Sequence, residues 1–430
     1  MNAYAVIILS TLILSYALHL AADFFNVEAL RPQLPREFEG VYDSEQYRKS
    51  QQYTRAHTRF GFVTLTFGLT FVLVFWFAGG FNGLDRIVRS WSLAPIWTGM
   101  VYIGIVVAAR ALLALPFTIY ATFVIEERFG FNRMTPKTFL LDLIKATLLT
   151  ALIVGVLLAG VLAFFQFAGS SAWWYCWIGT AVVALFMHFI APIWILPLFN
   201  KFTPLEEGKL RDAIRSYADA VSFPHRHLFV MDGSKRSGKS NAFFTGFGRN
   251  RRIVLFDTLV ENHTVGELVA VLAHEIGHYK RKHIQQGLLI SIVHMGVLFY
   301  LLSIFLSHHG LFEAFFVERD SIYIGLILFS LLYSPIELIL GVLLHGLLRR
   351  NEFTADRFAA ETLDEPEHLI SALEKLSAHN LDNLTPHPFY VFLNYSHPPV
   401  LARIEAIGAL TRRQTTECTK YGQDEGRAGT

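Results

Sequence analysis

The chain reads as an all-α multi-pass membrane protein: seven transmembrane helices, with a small α+β portion held outside the bilayer. Three observations predict this. Hydrophobic residues make up 53% of the 430 residues against 17% charged, and phenylalanine alone numbers 38, a composition suited to a lipid solvent. Seven stretches, roughly 4–22, 60–82, 98–124, 144–167, 173–199, 284–307 and 321–347, are long and apolar enough to cross about 30 Å of hydrocarbon. Between the fifth and sixth of these, and again after the seventh, the pattern reverts to the mixed polar and apolar spacing of a water-soluble chain.

Taken in order, the first stretch lacks a basic leader and a small-residue cleavage site, so it is read as a retained membrane helix. The fifth and seventh contain Pro192 and Pro335 and are expected to kink. Lys plus Arg number six in 23–59, two in 83–97, three in 125–143, none in 168–172 and one in 308–320. That alternation places the first, third and fifth connections and the C-terminal tail in the cytoplasm, with the N-terminus outside. Four segments follow: 1–199 with five spans, a cytoplasmic α+β segment over 200–283, the last two spans over 284–347, and a cytoplasmic C-terminal segment over 348–430. Within 200–283 the spacing predicts a helix over 204–221 and strands over 227–232, 240–247 and 251–259. The last two should form a hairpin around Gly248-Arg249-Asn250. After 348, one helix should begin near Asn351 and another at Asp364-x-x-Glu367 with Pro366 in its first turn. The polar final dozen residues should fray.

Chemistry concentrates in His274-Glu275-Ile276-Gly277-His278. Residues four apart on a helix stand one above the other, so His274 and His278 can offer two imidazoles to one zinc ion while Glu275 stands beside its open position. A capping box at Thr264-x-x-Glu267 and apolar residues at 268, 271, 272, 276 and 279 support that helix. In Glu352-x-x-x-Asp356 the glutamate can be the third ligand. Asp356, one turn on, can accept a hydrogen bond from the far nitrogen of a ligating histidine and fix its tautomer.

A second motif competes. Gly233 to Ser240 satisfies GxxxxGK[ST], but the aromatic, glycine-broken run that follows is unlike the helix a phosphate-binding loop must open, so no nucleotide is expected. Cys176 and Cys418 lie too far apart in topology for a disulfide, and a net charge of +2 makes no case for nucleic acid.

Beyond HEIGH and NEFTAD, the chain carries EERFGFNRMT at 126–135, PLFNKFTPL at 197–205, SNAFFTGF at 240–247, RRIVLFDTL at 251–259 and NYSHPPVLARIEAI at 394–407. In these motifs and their order it resembles the type 1 CAAX prenyl endopeptidases, integral-membrane zinc proteases that trim prenylated C-termini. The resemblance implies tilted helices enclosing a water-filled chamber, with one zinc at its cytoplasmic end held by His274, His278 and Glu352, and Glu275 acting as base and then acid. It further implies that His397 and Arg403 face the substrate carbonyl and that Asn241 and Ala242 border the cleft. The longer loop insertion and retention tail usual in eukaryotic members are not found, which favours a bacterial cytoplasmic membrane. The heat-shock membrane metallopeptidases of quality control share HExxH and ExxxD but do not account for EERFGFNRMT.

On that reading the substrate, a peptide or protein with or without an isoprenyl group, pairs in extended form with the strand at Asn241, Ala242 and Phe243. Glu275 takes the proton of the attacking water, and His397 and Arg403 stabilise the developing oxyanion. Arg110, His188, His294, Glu337 and His345 fall inside the apolar stretches, where they must pair or face water. A hydrated chamber accommodates them, and so does a transport pathway, which keeps a transporter or an inactive membrane scaffold as the competing classes.

Overall fold

The computed structural model describes residues 1–224, 228–245 and 252–412. Six long apolar helices begin at Ala3, Ser44, Pro95, Pro136, Ala172 and His283, and a bent pair, Ile322–Leu332 and Ser334–Thr362, makes the seventh span. Each expected stretch falls mainly on one of these elements, although 78–82 and 306–307 run past the ends of the second and sixth helices. Of the two anticipated kinks, the seventh span bends by 52° at Tyr333, just before Pro335, whereas the fifth continues through Pro192 by a π-helical turn at Ala191–Ile195. The second span begins well before its apolar stretch, because the Asp43 side chain accepts a hydrogen bond from Gln46 N (2.7 Å) and caps the helix inside the first connection.

Even and odd connections form separate layers. Those after the second and sixth spans pack into one aromatic cluster, with Trp76 donating to the Ala314 carbonyl (2.8 Å) and Phe81 edge-on to Phe315. The first, third and fifth connections and the chain after residue 362 meet at the opposite end. There Phe38, Tyr42 and Tyr47 pack with Leu384 and Ile404, and Phe129 and Phe131 with Leu381. The Lys and Arg count had assigned these same segments to one side.

The water-soluble part is built on a four-stranded sheet in the order β1 (Phe202–Pro204), β2 (Leu228–Met231), β4 (Arg252–Phe256), β3 (Ala242–Thr245). β2 and β4 are parallel, and the other pairs antiparallel. β4 is buried at Ile253, Val254 and Leu255, and β3 is left as an edge. Under the sheet lies the HExxH helix, Val265–Lys280, whose Leu268, Leu272 and Ile276 share a core with Ile253, Leu255, Ile214 and Leu259. The helix starts at the expected capping box, with Thr264 N donating to Glu267 Oε2 (2.8 Å).

Several boundaries differ from expectation. The helix expected from 204 starts at Lys209, because Phe202–Pro204 is taken up by β1 pairing with β2. The strand expected over 251–259 ends at Phe256, and Asp257–Asn262 is helical. No new helix begins at Asn351: the seventh span runs unbroken from Ser334 to Thr362, since no proline falls between Pro335 and Thr362 and Gly346 is carried within the helix. The following helix begins at Glu367 after Pro366, without a cap from Asp364. The hairpin turn at Gly248-Arg249-Asn250, Cys418 and the chain end lie outside the described residues.

Candidate metal centre

Two long helices cross at the motif. Gly277 of the HExxH helix lies so close to the seventh-span helix that a Cβ there would stand 2.9 Å from the Ala355 carbonyl oxygen and 3.0 Å from its Cα. Only glycine permits this approach, and Ala355 lies between Glu352 and Asp356 on the facing helix. The small residue inside HExxH thus sets the helix spacing that brings the glutamate to the histidines.

At the crossing, His274 Nε2 and His278 Nε2 are 3.1 Å apart, Glu352 Oε2 is 3.4 Å from the first and Glu352 Oε1 is 3.2 Å from the second. His274 and Glu352 are buried, and His278 is half-buried. His274 Nδ1 lies 2.8 Å from Asp356 Oδ1, so its proton belongs on that side and its Nε2 carries a lone pair. Asp356 is 1% exposed and also accepts Arg403 Nε (2.8 Å) and Nη2 (2.7 Å). Burial alone would raise the Asp356 pKa, but the guanidinium and His274 hold it down to about 2.

This donor set fits a cation. Two imidazole lone pairs and a carboxylate converge with all three ligand atoms within 4.8 Å of one another, and buried Glu352 Oε2 accepts no hydrogen bond. Two ligands on one tetrahedral ion at about 2.0–2.1 Å would sit ~3.3 Å apart, close to the separations found. The local potential also favours positive charge: burial by itself would lower the His274 pKa, yet Asp356 and Glu352 push it up to about 9. A site that attracts a proton so strongly attracts a divalent ion for the same reason.

Around this centre the other anticipated residues divide. Glu275 is half-buried beside the ligands and makes no hydrogen bond or ion pair among the described residues. His397, in the loop that starts the helix over 400–412, brings Nε2 to 3.4 Å from Glu352 Oε1, while its side chain is 67% exposed. Arg403 departs from the position expected of it. Expected beside His397 at a substrate carbonyl, it is buried behind the ligands and committed to Asp356, with Nη1 3.6 Å from Glu352 Oε2. Asn241, Ala242 and Phe243 lead into and form β3, which packs against the HExxH helix through Phe244 and Tyr279. One contact was not anticipated. The Nδ1 atoms of His278 and His283 are 3.0 Å apart; five residues is not a helical repeat, so spacing alone made His283 look unrelated.

The chain matches two family models, the CAAX prenyl protease N-terminal region of five membrane helices over residues 24–201 and peptidase family M48 over 204–411. The chain belongs to peptidase family M48. It is 34% identical over 408 residues to CAAX prenyl protease 1 of Saccharomyces cerevisiae, covering 89% of this chain and 90% of that protein. It is likewise 34% identical to the CAAX prenyl protease 1 homolog of Mus musculus, covering 94% of each. The crystal structure of S. mikatae Ste24p superposes with a TM-score of 0.88 at 32% identity, over 95% of this chain and 99% of that one. The molecule is accordingly a multi-pass membrane metalloendopeptidase, as the motifs implied.

Proposed function

We propose that the chain is a zinc endopeptidase that cleaves near the C-terminus of proteins carrying an isoprenylated cysteine, with its catalytic face in the cytoplasm. The observation that carries the chemistry is the convergence of His274, His278 and the orphaned Glu352 Oε2 on one point. A two-nitrogen, one-carboxylate set suits zinc, which when bound would supply a Lewis-acidic position that lowers the pKa of the attacking water. Glu275 takes the proton from that water as its oxygen attacks the scissile carbonyl, then returns it to the leaving amine as the C–N bond breaks. His397, exposed toward the cleft, donates to the carbonyl oxygen. Asp356 and Arg403 hold His274 in the tautomer that faces the metal.

β3 is suited to receive the substrate main chain. Phe256 N donates to Asn241 O (3.1 Å), so residues 241, 243 and 245 bond to β4, whereas the amides of Ala242 and Phe244 face the free edge. The edge amide of Ala242 is capped by the Asn241 side chain (2.8 Å), a bond a substrate carbonyl can replace. Ala242→Pro removes that donor without touching the β4 ladder. It is expected to raise KM roughly 2–10-fold, the worth of one hydrogen bond, with kcat nearly unchanged; an unchanged KM would discard strand addition. A proline at Phe243 would instead break the β4 pairing.

The relatives' names supply the prenylated substrate. A hydrated interior is supported by the spans themselves: in the second to fifth, only 6% of the most apolar window is buried, as expected of a one-helix wall with lipid outside and water within. Of the polar residues in the spans, His294 meets Tyr333 (3.0 Å) and Glu337 (3.5 Å), His345 meets the Leu393 carbonyl (2.9 Å), and Arg110 is exposed. The glycine-rich loop has no nucleotide role in this reading. It leads into β3, and Lys239 Nζ donates to Tyr53 Oη (2.6 Å) and lies over the Tyr53 and Phe131 rings. The deciding experiment is mass spectrometry of products from farnesylated and unmodified versions of one peptide incubated with the zinc-loaded protein. Preferential trimming of the farnesylated peptide is expected; equal cleavage of both would replace prenyl processing with general quality control.

A further inference from the structure

We propose that His283 is a positioning residue for the metal centre, receiving the Nδ1 proton of His278 and so turning the His278 Nε2 lone pair toward the ion. The inference rests on the reading of His278 as a ligand and extends it to a residue outside the HExxH motif.

In a continuous helix, residues five apart point about 140° away from each other, and the two rings could not meet. They meet because the helix stops. Arg281 N and Lys282 N bond back to Gly277 O and Tyr279 O, Lys282 takes a left-handed backbone at φ 60°, and a new helix starts at His283. A non-glycine residue rarely adopts that conformation. Here it folds His283 back so that its ring stands edge-on to His278, with centroids 5.0 Å apart and planes at 76°.

The hydrogen bonds then run in one direction. A ligating His278 keeps Nε2 bare, so its proton is on Nδ1 and points to His283 Nδ1, 3.0 Å away. His283 Nδ1 accepts, which leaves its proton on Nε2, 3.1 Å from Thr354 Oγ1. Thr354 in turn donates to the Asn351 carbonyl (2.9 Å), in the peptide unit preceding Glu352. Each atom has one role and the chain ends on a backbone acceptor. The reverse direction would put a proton on His278 Nε2, facing His274 Nε2 at 3.1 Å. The two ligating histidines are thus held separately: His274 by the Asp356 carboxylate, His278 by a neutral imidazole anchored to the helix that bears Glu352.

The test is zinc affinity of the full-length purified protein, measured by competition with a chromophoric chelator after metal stripping, for wild type and for His283→Leu, His283→Asn and His283→Gln. The leucine variant should bind zinc about 10–100-fold more weakly. Asparagine places its side-chain oxygen where Nδ1 stood and should restore most of the affinity. Glutamine places its amide nitrogen where Nε2 stood, keeps the reach to Thr354 and should remain as weak as leucine. Thermal unfolding of the metal-free proteins checks folding, and if leucine fails to fold, the asparagine and glutamine contrast decides alone. Wild-type affinity in the leucine variant, or equal loss in asparagine and glutamine, overturns the proposal. A wild-type chain that takes up no zinc would instead refute the metal reading on which it depends.

Discussion

Replacing Glu275 by glutamine is expected to lower kcat for peptide cleavage by about 10²–10⁴-fold, the range for loss of a general acid-base, while metal content and thermal unfolding stay at wild-type values. The side chain neighbours the ligands without being one of them, and it makes no hydrogen bond or ion pair that the amide would break. What glutamine loses is the capacity to take a proton. Burial raises the Glu275 carboxyl above the usual carboxylate range; the two histidines and Arg403 pull it down, while Glu352 adds to the rise. A carboxylate made more basic in this way is better matched to a proton that must be taken up and given back near neutrality. Cleavage by Glu275→Gln at the wild-type rate would show that the proton goes elsewhere. Loss of bound metal in that variant would show that Glu275 is a ligand and that the assignment of Glu352 needs revision.

Much of this centre was legible because helical spacing is rigid. His274 and His278 had to share a face, and Asp356 had to stand one turn from Glu352, whichever way the chain turned between the two helices. Which connections share an end was legible for a different reason: the Lys and Arg count divides them into two sets, and the structure packs the members of each set together. What spacing could not supply was anything created by chain breaks or helix crossings. The role of Gly277 appears only when Ala355 is seen against it, and the His278–His283 contact depends on the left-handed backbone of Lys282. Arg403 was assigned to the right neighbourhood and aimed differently, because the six-residue spacing to His397 says nothing of a carboxylate arriving from another helix. The strand boundary at Phe256 was missed because apolar residues resume at Leu259 beyond Asp257, whose carboxylate accepts Ser234 N (2.9 Å) where a helix begins.

Arg403 and Asp356 give the second large expected effect, and it separates the stability of the site from its metal chemistry. Asp356 is 1% exposed and the Arg403 side chain 12% exposed, with two hydrogen bonds between them at 2.7 and 2.8 Å. In Asp356→Ala the guanidinium remains buried with its principal partner gone, and the fold should lose about 3–5 kcal/mol, the usual penalty for stranding one member of a buried pair. Removing the cation as well, in Asp356→Ala/Arg403→Leu, should recover most of that loss, since an apolar replacement of a buried ion pair is often nearly neutral. Zinc affinity should not recover. His274 Nδ1 has lost the carboxylate that fixed its tautomer in both variants, so both should bind metal about 10–100-fold more weakly than wild type. Chelator competition and thermal unfolding on the three proteins read the two quantities independently. If the double variant regains affinity together with stability, Asp356 acts on the metal only by neutralising Arg403. If neither variant loses affinity, the imidazole of His274 is oriented by its packing alone and the bond to Asp356 is incidental to the metal.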